Sequence, residues 1–308
     1  MQKASANQRD PQKLTIGISS RALFNLEMEN RIFERHGIEP YLRYQVRNEK
    51  KVLDPGVAFH LAKTFLSLNK FLSKPLVEVC VLSRNTANSS LRLFNSFDAH
   101  HLDIRKVALT SGEEISPYLN AFQVDLYLSA NAETVSQALK SGVAAAMVYP
   151  ESRPAGEEED GIRIALDGDG VLFSLDAENI FREHGLDAFD AHERKHADVT
   201  LPEGPLASFL KKISFLQQQL GEQGHLIKTA LITARGHPAH ERVIKTFRAW
   251  KVRIDASFFL GGGPKAPIVK AFGANLFIDN QSSHCQDVSS VAPTAQVLNE
   301  AGGGTASK

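Results

Sequence analysis

"IALDGDGVLFSLDAENIFREHG" occupies Ile164–Gly185, and "IGISSRALFNLEMENRIFERHG" occupies Ile16–Gly37. One gap in each passage aligns Leu23-Phe24 with Leu172-Phe173, Glu29-Asn30 with Glu178-Asn179, Ile32-Phe33 with Ile180-Phe181, and His36-Gly37 with His184-Gly185. Further on, "LDPGVAFHLAK" from Leu53 parallels "LPEGPLASFLK" from Leu201. From Val77 to Asn131 and from Ile227 to Gln281 the register is constant and gapless, with apolar positions coinciding although identity is low. Self-similarity of this extent points to an internal duplication. Each copy reads as strand, helix, strand, helix, strand. Short apolar runs (LTIGI, VEVCVL and VDLYLS; RIALD, TALIT and ANLFID) are bounded by polar or glycine positions. Such alternation implies parallel sheet with right-handed crossovers. The expected fold is therefore α/β: two related Rossmann-like halves, with parallel sheets flanked by helices.

The remaining totals agree. The 308 residues are 43% hydrophobic, enough for a large core, and the length suggests two domains. The polar, acidic segment "ESRPAGEEEDG" reads as a linker at 151–161, between halves at 13–150 and 162–300. Residues 1–12 and 301–308 read as flexible ends. The 35 Lys and Arg balance the 35 Asp and Glu, so no global field calls for DNA, RNA or an anionic membrane. Two cysteines, Cys80 and Cys285, without a CxxC pair exclude a disulfide scaffold and fit a reducing compartment. The first residues lack the apolar core of a signal peptide, and no window is apolar enough to span a membrane. The expectation is a cytoplasmic protein; monomer and homo-oligomer both stay open.

In parallel sheets of this kind, ligands bind beyond the carboxyl ends of the strands. In the second half those ends carry Asp167-Gly168-Asp169, Thr233-Ala234-Arg235 and Asp279-Asn280, with Lys265 after "FLGGGP". Carboxylates gathered there would repel one another unless a hard cation balances them, and Mg²⁺ typically takes one or two carboxylates plus phosphate and water. Thr233 and Lys265 suit phosphate oxygens, as hydroxyl donor and point charge.

DGDGV, a lone threonine after an apolar strand, a later lysine and an aspartate after another strand resemble the four motifs of the haloacid dehalogenase-like phosphohydrolases. The wording "ISSRALF", "ALDGDGVLFS", "GPLASFL", "LITAR" and "FFLGGGPKAPIV" resembles the cytosolic 5′-nucleotidase I family over roughly residues 13 to 290. This resemblance implies haloacid dehalogenase-like halves and Mg²⁺-dependent hydrolysis of nucleoside 5′-monophosphates, AMP-like or deoxynucleotides. Asp167 would be the nucleophile, forming an aspartyl-phosphate, and Asp169 the general acid and then base. Asp167, the backbone carbonyl of Asp169, and Asp279 would hold Mg²⁺. Thr233, Lys265 and Arg235 would bind phosphate or substrate. Many relatives carry an aspartate where this chain has Asn280, so activity is expected with altered metal affinity. Two other readings stay open: a phosphatase for another phosphomonoester such as a sugar phosphate, and a non-catalytic nucleotide-binding regulator.

Other signals weigh less. "HERKH" at His192–His196 fits the HExxH pattern of zinc proteases, but Arg194 and Lys195 fill its variable positions and no third ligand follows at a familiar spacing. It reads as a solvated charged helix. "GGGPK" lacks the spacing of a P-loop and reads as a tight turn ahead of Lys265. In the first half, Ser19, Arg21, Ser83, Ile115 and Ser129 stand where the second has Asp167, Asp169, Thr233, Lys265 and Asp279. That half has no nucleophile of this kind and is expected to be catalytically dead. Ser19, Arg21, Ser83 and Asn85 could form a second site for a nucleotide effector or a wall of the substrate pocket; the alternative is a purely structural half.

Overall fold

A computed structural model describes residues 12–154 and 161–298. The ends expected at 1–12 and 301–308, apart from Gln12, and residues 155–160 of the linker lie outside the described residues.

Ten strands form one sheet: β1 (Leu14–Ile18), β2 (Val77–Ser83), β3 (Lys106–Leu109), β4 (Leu126–Ser129), β5 (Ala145–Val148), β6 (Ile162–Leu166), β7 (Ile227–Thr233), β8 (Ala256–Phe259), β9 (Leu276–Asp279) and β10 (Thr294–Gln296). Their order is β3-β2-β1-β4-β5-β10-β9-β6-β7-β8. The strand order of one half is therefore that of the other, reflected about the junction. Within each half every pairing is parallel, as expected. The sequence pattern, however, predicts three strands per half and separate sheets. The additional strands β3, β5, β8 and β10 are three or four residues long and less fully buried than the similarly short β4 and β9. Two of these, β5 and β10, pair antiparallel, Ala295 opposite Val148 and Gln296 opposite Met147, and fuse the halves into one sheet.

Alternate residues of each strand point to opposite faces. On one face Ile16, Ile18, Val79, Val81, Ile164, Leu166 and Leu231 belong to a single buried cluster that draws on both halves. Helices Phe59–Leu68 and Ala207–Gln219 cover it with Leu61, Phe65, Phe209 and Ile213. On the other face the halves keep separate clusters, around Leu82, Leu119 and Val135 in one, and around Ile232, Val269 and Phe277 in the other. The shared face is also tied by charge: Lys212 Nζ, on the helix Ala207–Gln219, donates to Asp125 Oδ2 at 2.7 Å.

The antiparallel junction has a consequence for ligand sites. Strands of the first half run opposite to those of the second, so their carboxyl ends lie at opposite edges of the sheet. Because the face is shared, the halves should also unfold together. Phe209→Ala is expected to cost about 3–5 kcal/mol. Calorimetry of that variant should show one transition, shifted down, rather than loss of one of two separable transitions.

Candidate active site

Asp167 directly follows β6, and its backbone N–H donates to the carbonyl of Ile278 in β9 at 2.9 Å. Asp279 ends β9 and Thr233 ends β7. Lys265 caps the helix Ala266–Phe272. The loop before it turns through Gly261 (φ 56°) and Gly262 (φ 84°), a left-handed conformation that glycine adopts without a Cβ clash. The Gly262 N–H donates to the carbonyl of Ala234 at 2.8 Å, locking the lysine loop to the threonine loop. The expected tight turn before Lys265 is thus present.

Three of the expected residues meet as one buried cluster. Lys265 Nζ lies 2.7 Å from Asp167 Oδ1 and 2.7 Å from Asp279 Oδ2. Asp279 Oδ1 accepts from the Gln281 backbone N–H at 2.8 Å, and His284 Nδ1 stands 3.2 Å from Asp279 Oδ2. Burial and the neighbouring Asp279 carboxylate push the Asp167 carboxyl up to about 7, with Lys265 pulling the other way. Burial also disfavours ionised Asp279, but His284 and Lys265 hold its carboxyl below the usual range. Thr233 is buried beside them, its Oγ1 accepting from the Arg235 backbone N–H at 3.2 Å.

Asp169 and Arg235 are placed differently. Arg235 Nε and Nη2 each donate to one oxygen of Asp169 at 2.7 Å, a bidentate pair. Its Nη1 donates to Glu193, which also accepts from Arg242 Nη1 at 2.8 Å. The guanidinium lies 5.2 Å from the ring centre of Phe189. Arg235 is thus engaged with two carboxylates rather than held free for phosphate.

Glu193 is the site residue that sequence reasoning missed. It belongs to HERKH, read as a solvated helix, yet its side chain is fully buried between two arginines. A signal was present. Phe189 lies one helical turn earlier on the same face and is buried, so position 193 faces inward. His192 and His196 do sit together, ring centres 4.2 Å apart, but Glu193 is committed to Arg235 and Arg242.

Whether Mg²⁺ suits this site is decided by its oxygens. Among the described residues no three His, Cys, Asp or Glu side chains converge as a metal cluster. With Asp169 turned to Arg235, two carboxylates remain against one ammonium. The Asn280 side-chain oxygen is buried without a hydrogen-bond partner, while its Nδ2 donates to Glu178 Oε2 at 3.3 Å. Asn280 lies close over the DGDG loop, since a Cβ on Gly170 would come within 2.4 Å of its Nδ2. An oxygen-only set with residual negative charge and an unspent amide oxygen fits a hard cation that completes its shell with water and phosphate.

A protein-family profile described as 5′-nucleotidase matches residues 6–302. The chain belongs to the 5′-nucleotidase family. Human (Homo sapiens) cytosolic 5′-nucleotidase 1B is 34% identical over 284 residues, covering 89% of this chain and 47% of that protein. This agrees with the cytosolic 5′-nucleotidase I branch suggested by the motifs, although the chain spans about half the length of that relative. No solved structure matches.

The arginine–carboxylate network yields a pH prediction. Burial opposes ionisation of Glu193, but Arg235 and Arg242 outweigh it and hold the carboxyl below the usual range. A folded value below the unfolded one contributes stability above the unfolded value, lost as pH falls through the folded value. Glu193→Gln should therefore lower stability at neutral pH and flatten its fall on acidification, read by denaturant unfolding at several pH values. Glu193→Ala, which leaves Arg242 without its carboxylate and Arg235 with Asp169 alone, should cost about 3–5 kcal/mol.

Proposed function

We propose that this protein hydrolyses nucleoside 5′-monophosphates to nucleoside and phosphate, with Mg²⁺ and through an aspartyl-phosphate on Asp167. The observation that carries the reading is the buried Asp167–Lys265–Asp279 cluster at the ends of β6 and β9, in a chain of the 5′-nucleotidase family. Residues 162–300 form the catalytic half in this reading. Residues 13–150 form an inactive half that arose from the same unit by duplication. The chain acts in the cytosol, the compartment in the name of its human relative. No helix among the described residues is long and apolar enough to cross a membrane.

Asp167 attacks phosphorus, the bond from phosphorus to the 5′-oxygen breaks, and that oxygen takes a proton from Asp169. Asp169 then removes a proton from a water that attacks the same phosphorus, releasing phosphate and restoring the Asp167 carboxylate. Both oxygens of Asp169 accept from Arg235, an arrangement that suits the ionised, proton-accepting form. Donation in the first step requires one of those bonds to open. Lys265 orients Asp167 and offsets charge on the transferring oxygens, with Thr233 as hydroxyl donor to them. Asp167, Asp279, the Asp169 backbone carbonyl and Asn280 would hold Mg²⁺, which supplies charge neutralisation at the phosphoryl group when bound.

Phosphate release should be measured across nucleoside monophosphates, deoxynucleotides and sugar phosphates, with Mg²⁺ and with chelator. Release is expected for the nucleotides and only with Mg²⁺. A preference for sugar phosphates would instead make the chain a different phosphomonoesterase. Asp167→Asn should lose at least about 10³-fold in kcat, the scale seen when a nucleophile is removed. Thr233→Ala should lose about 10²–10³-fold, as for a single donor to the transition state. Undiminished release by Asp167→Asn would overturn the mechanism.

A further inference from the structure

The first half holds a cavity of about 460 Å³, within the roughly 300–1,000 Å³ range of small-molecule sites. All its lining residues fall between Ser19 and Thr134. It is therefore not a wall of the Asp167 pocket, and the antiparallel junction sets the two at opposite edges of the sheet.

Its floor is built like the catalytic floor but without the charge. The Ser19 N–H donates to the carbonyl of Leu128 at 2.9 Å, as Asp167 does to Ile278. Gly112 N–H donates to the carbonyl of Arg84 at 2.8 Å, as Gly262 does to Ala234. Ser20 and Ser83 hydroxyls lie 3.0 Å apart, as do those of Ser129 and Thr134. Ile115, buried, stands where the other half has Lys265. The two cations of the lining are both spent. Arg21 makes a bidentate pair with Glu27 at 2.6 Å, and Arg84 pairs with Glu133 at 2.8 Å. A phosphate entering here would have to compete with Glu27 and Glu133 for these arginines, and among the described residues no lysine stands on the floor as Lys265 does in the other half.

The opposite wall is apolar and aromatic. Phe33 and Tyr41 stand edge to face, ring centres 6.0 Å apart, on the helices Glu27–His36 and Ile38–Arg47. Phe33 and Ile38 are 49% and 52% exposed, a large apolar rim that no part of the chain covers among the described residues. Tyr41 Oη donates to Asn85 Oδ1 at 3.3 Å, joining wall to floor. Hydroxyls on one side and aromatic edges on the other match an uncharged ligand with a flat ring and a hydroxylated sugar.

We infer that this cavity binds an uncharged nucleoside rather than a nucleotide. The neutrality of the ligand follows from the lining alone; the choice of a nucleoside among ring-bearing polyols rests on the proposed reaction, which releases one.

Hydrogen exchange on the full chain locates the ligand. Adenosine or cytidine should protect residues 27–47, and Phe33→Asp, an exposed position, should weaken that protection at least tenfold in ligand concentration. Tyr41→Ala should do the same while leaving hydrolysis unchanged when no nucleoside is added. Protection confined to residues 164–195 would overturn the inference, because the nucleoside would then occupy the catalytic half alone. Stronger protection of 27–47 by inorganic phosphate or a nucleoside monophosphate would also overturn it, in favour of a charged ligand. Phosphate release from nucleotides, assayed separately, tests the proposed reaction: its absence leaves the neutral-ligand result standing and removes only the choice of nucleoside.

Discussion

The pairing of β5 with β10 decides the layout of the molecule. Few residues take part, Met147 and Val148 opposite Gln296 and Ala295, but the pairing is antiparallel in an otherwise parallel sheet. One consequence is continuity: five strands from each half become one surface, over which a single apolar cluster closes. Another is polarity. The carboxyl ends of the strands, where parallel sheets place their ligands, lie at opposite edges in the two halves. Two related pockets can then coexist in one chain without sharing residues.

Within the second half, buried charge is arranged in two adjoining groups. Lys265 separates Asp167 from Asp279, and Arg235 bridges Asp169 to Glu193. Ions this deeply buried are tolerated only when each meets an opposite charge at hydrogen-bond distance. The second group reaches outward to Arg242 on the helix His240–Trp250 and to the helical segment bearing Glu193. Asp169 is thereby held by an element remote in sequence from the strand that precedes it.

The first half has the same strand order with different chemistry at the corresponding positions. Gln45 occupies the repeat position of Glu193, and Asn85 that of Arg235. They no longer form an ion pair; Gln45 Nε2 and Asn85 Oδ1 instead meet at the hydroxyl of Tyr41. Arg92, matching Arg242, turns to Glu29 at 2.6 Å. Corresponding backbone turns are present in both halves, and hydroxyls and amides stand where the second half has Asp167, Asp279, Glu193 and Arg235, beside the buried ion pair of Arg92 with Glu29.

The sequence by itself determined the parallel α/β units, the self-similarity of the two halves, the place of Asp167, Asp169, Thr233 and Asp279 at or just beyond strand ends, and that of Lys265 after the glycine loop. These follow from local periodicity and from motifs a few residues long, which survive in one dimension. Tertiary structure alone decided that the halves share one sheet, because β5 and β10 are short, are not fully buried, and find each other across nearly 150 residues. It alone turned Arg235 towards Asp169 and buried Glu193. A charged side chain looks solvated in a sequence until folding brings its partners to it, and here those partners come from the β7 loop and a later helix.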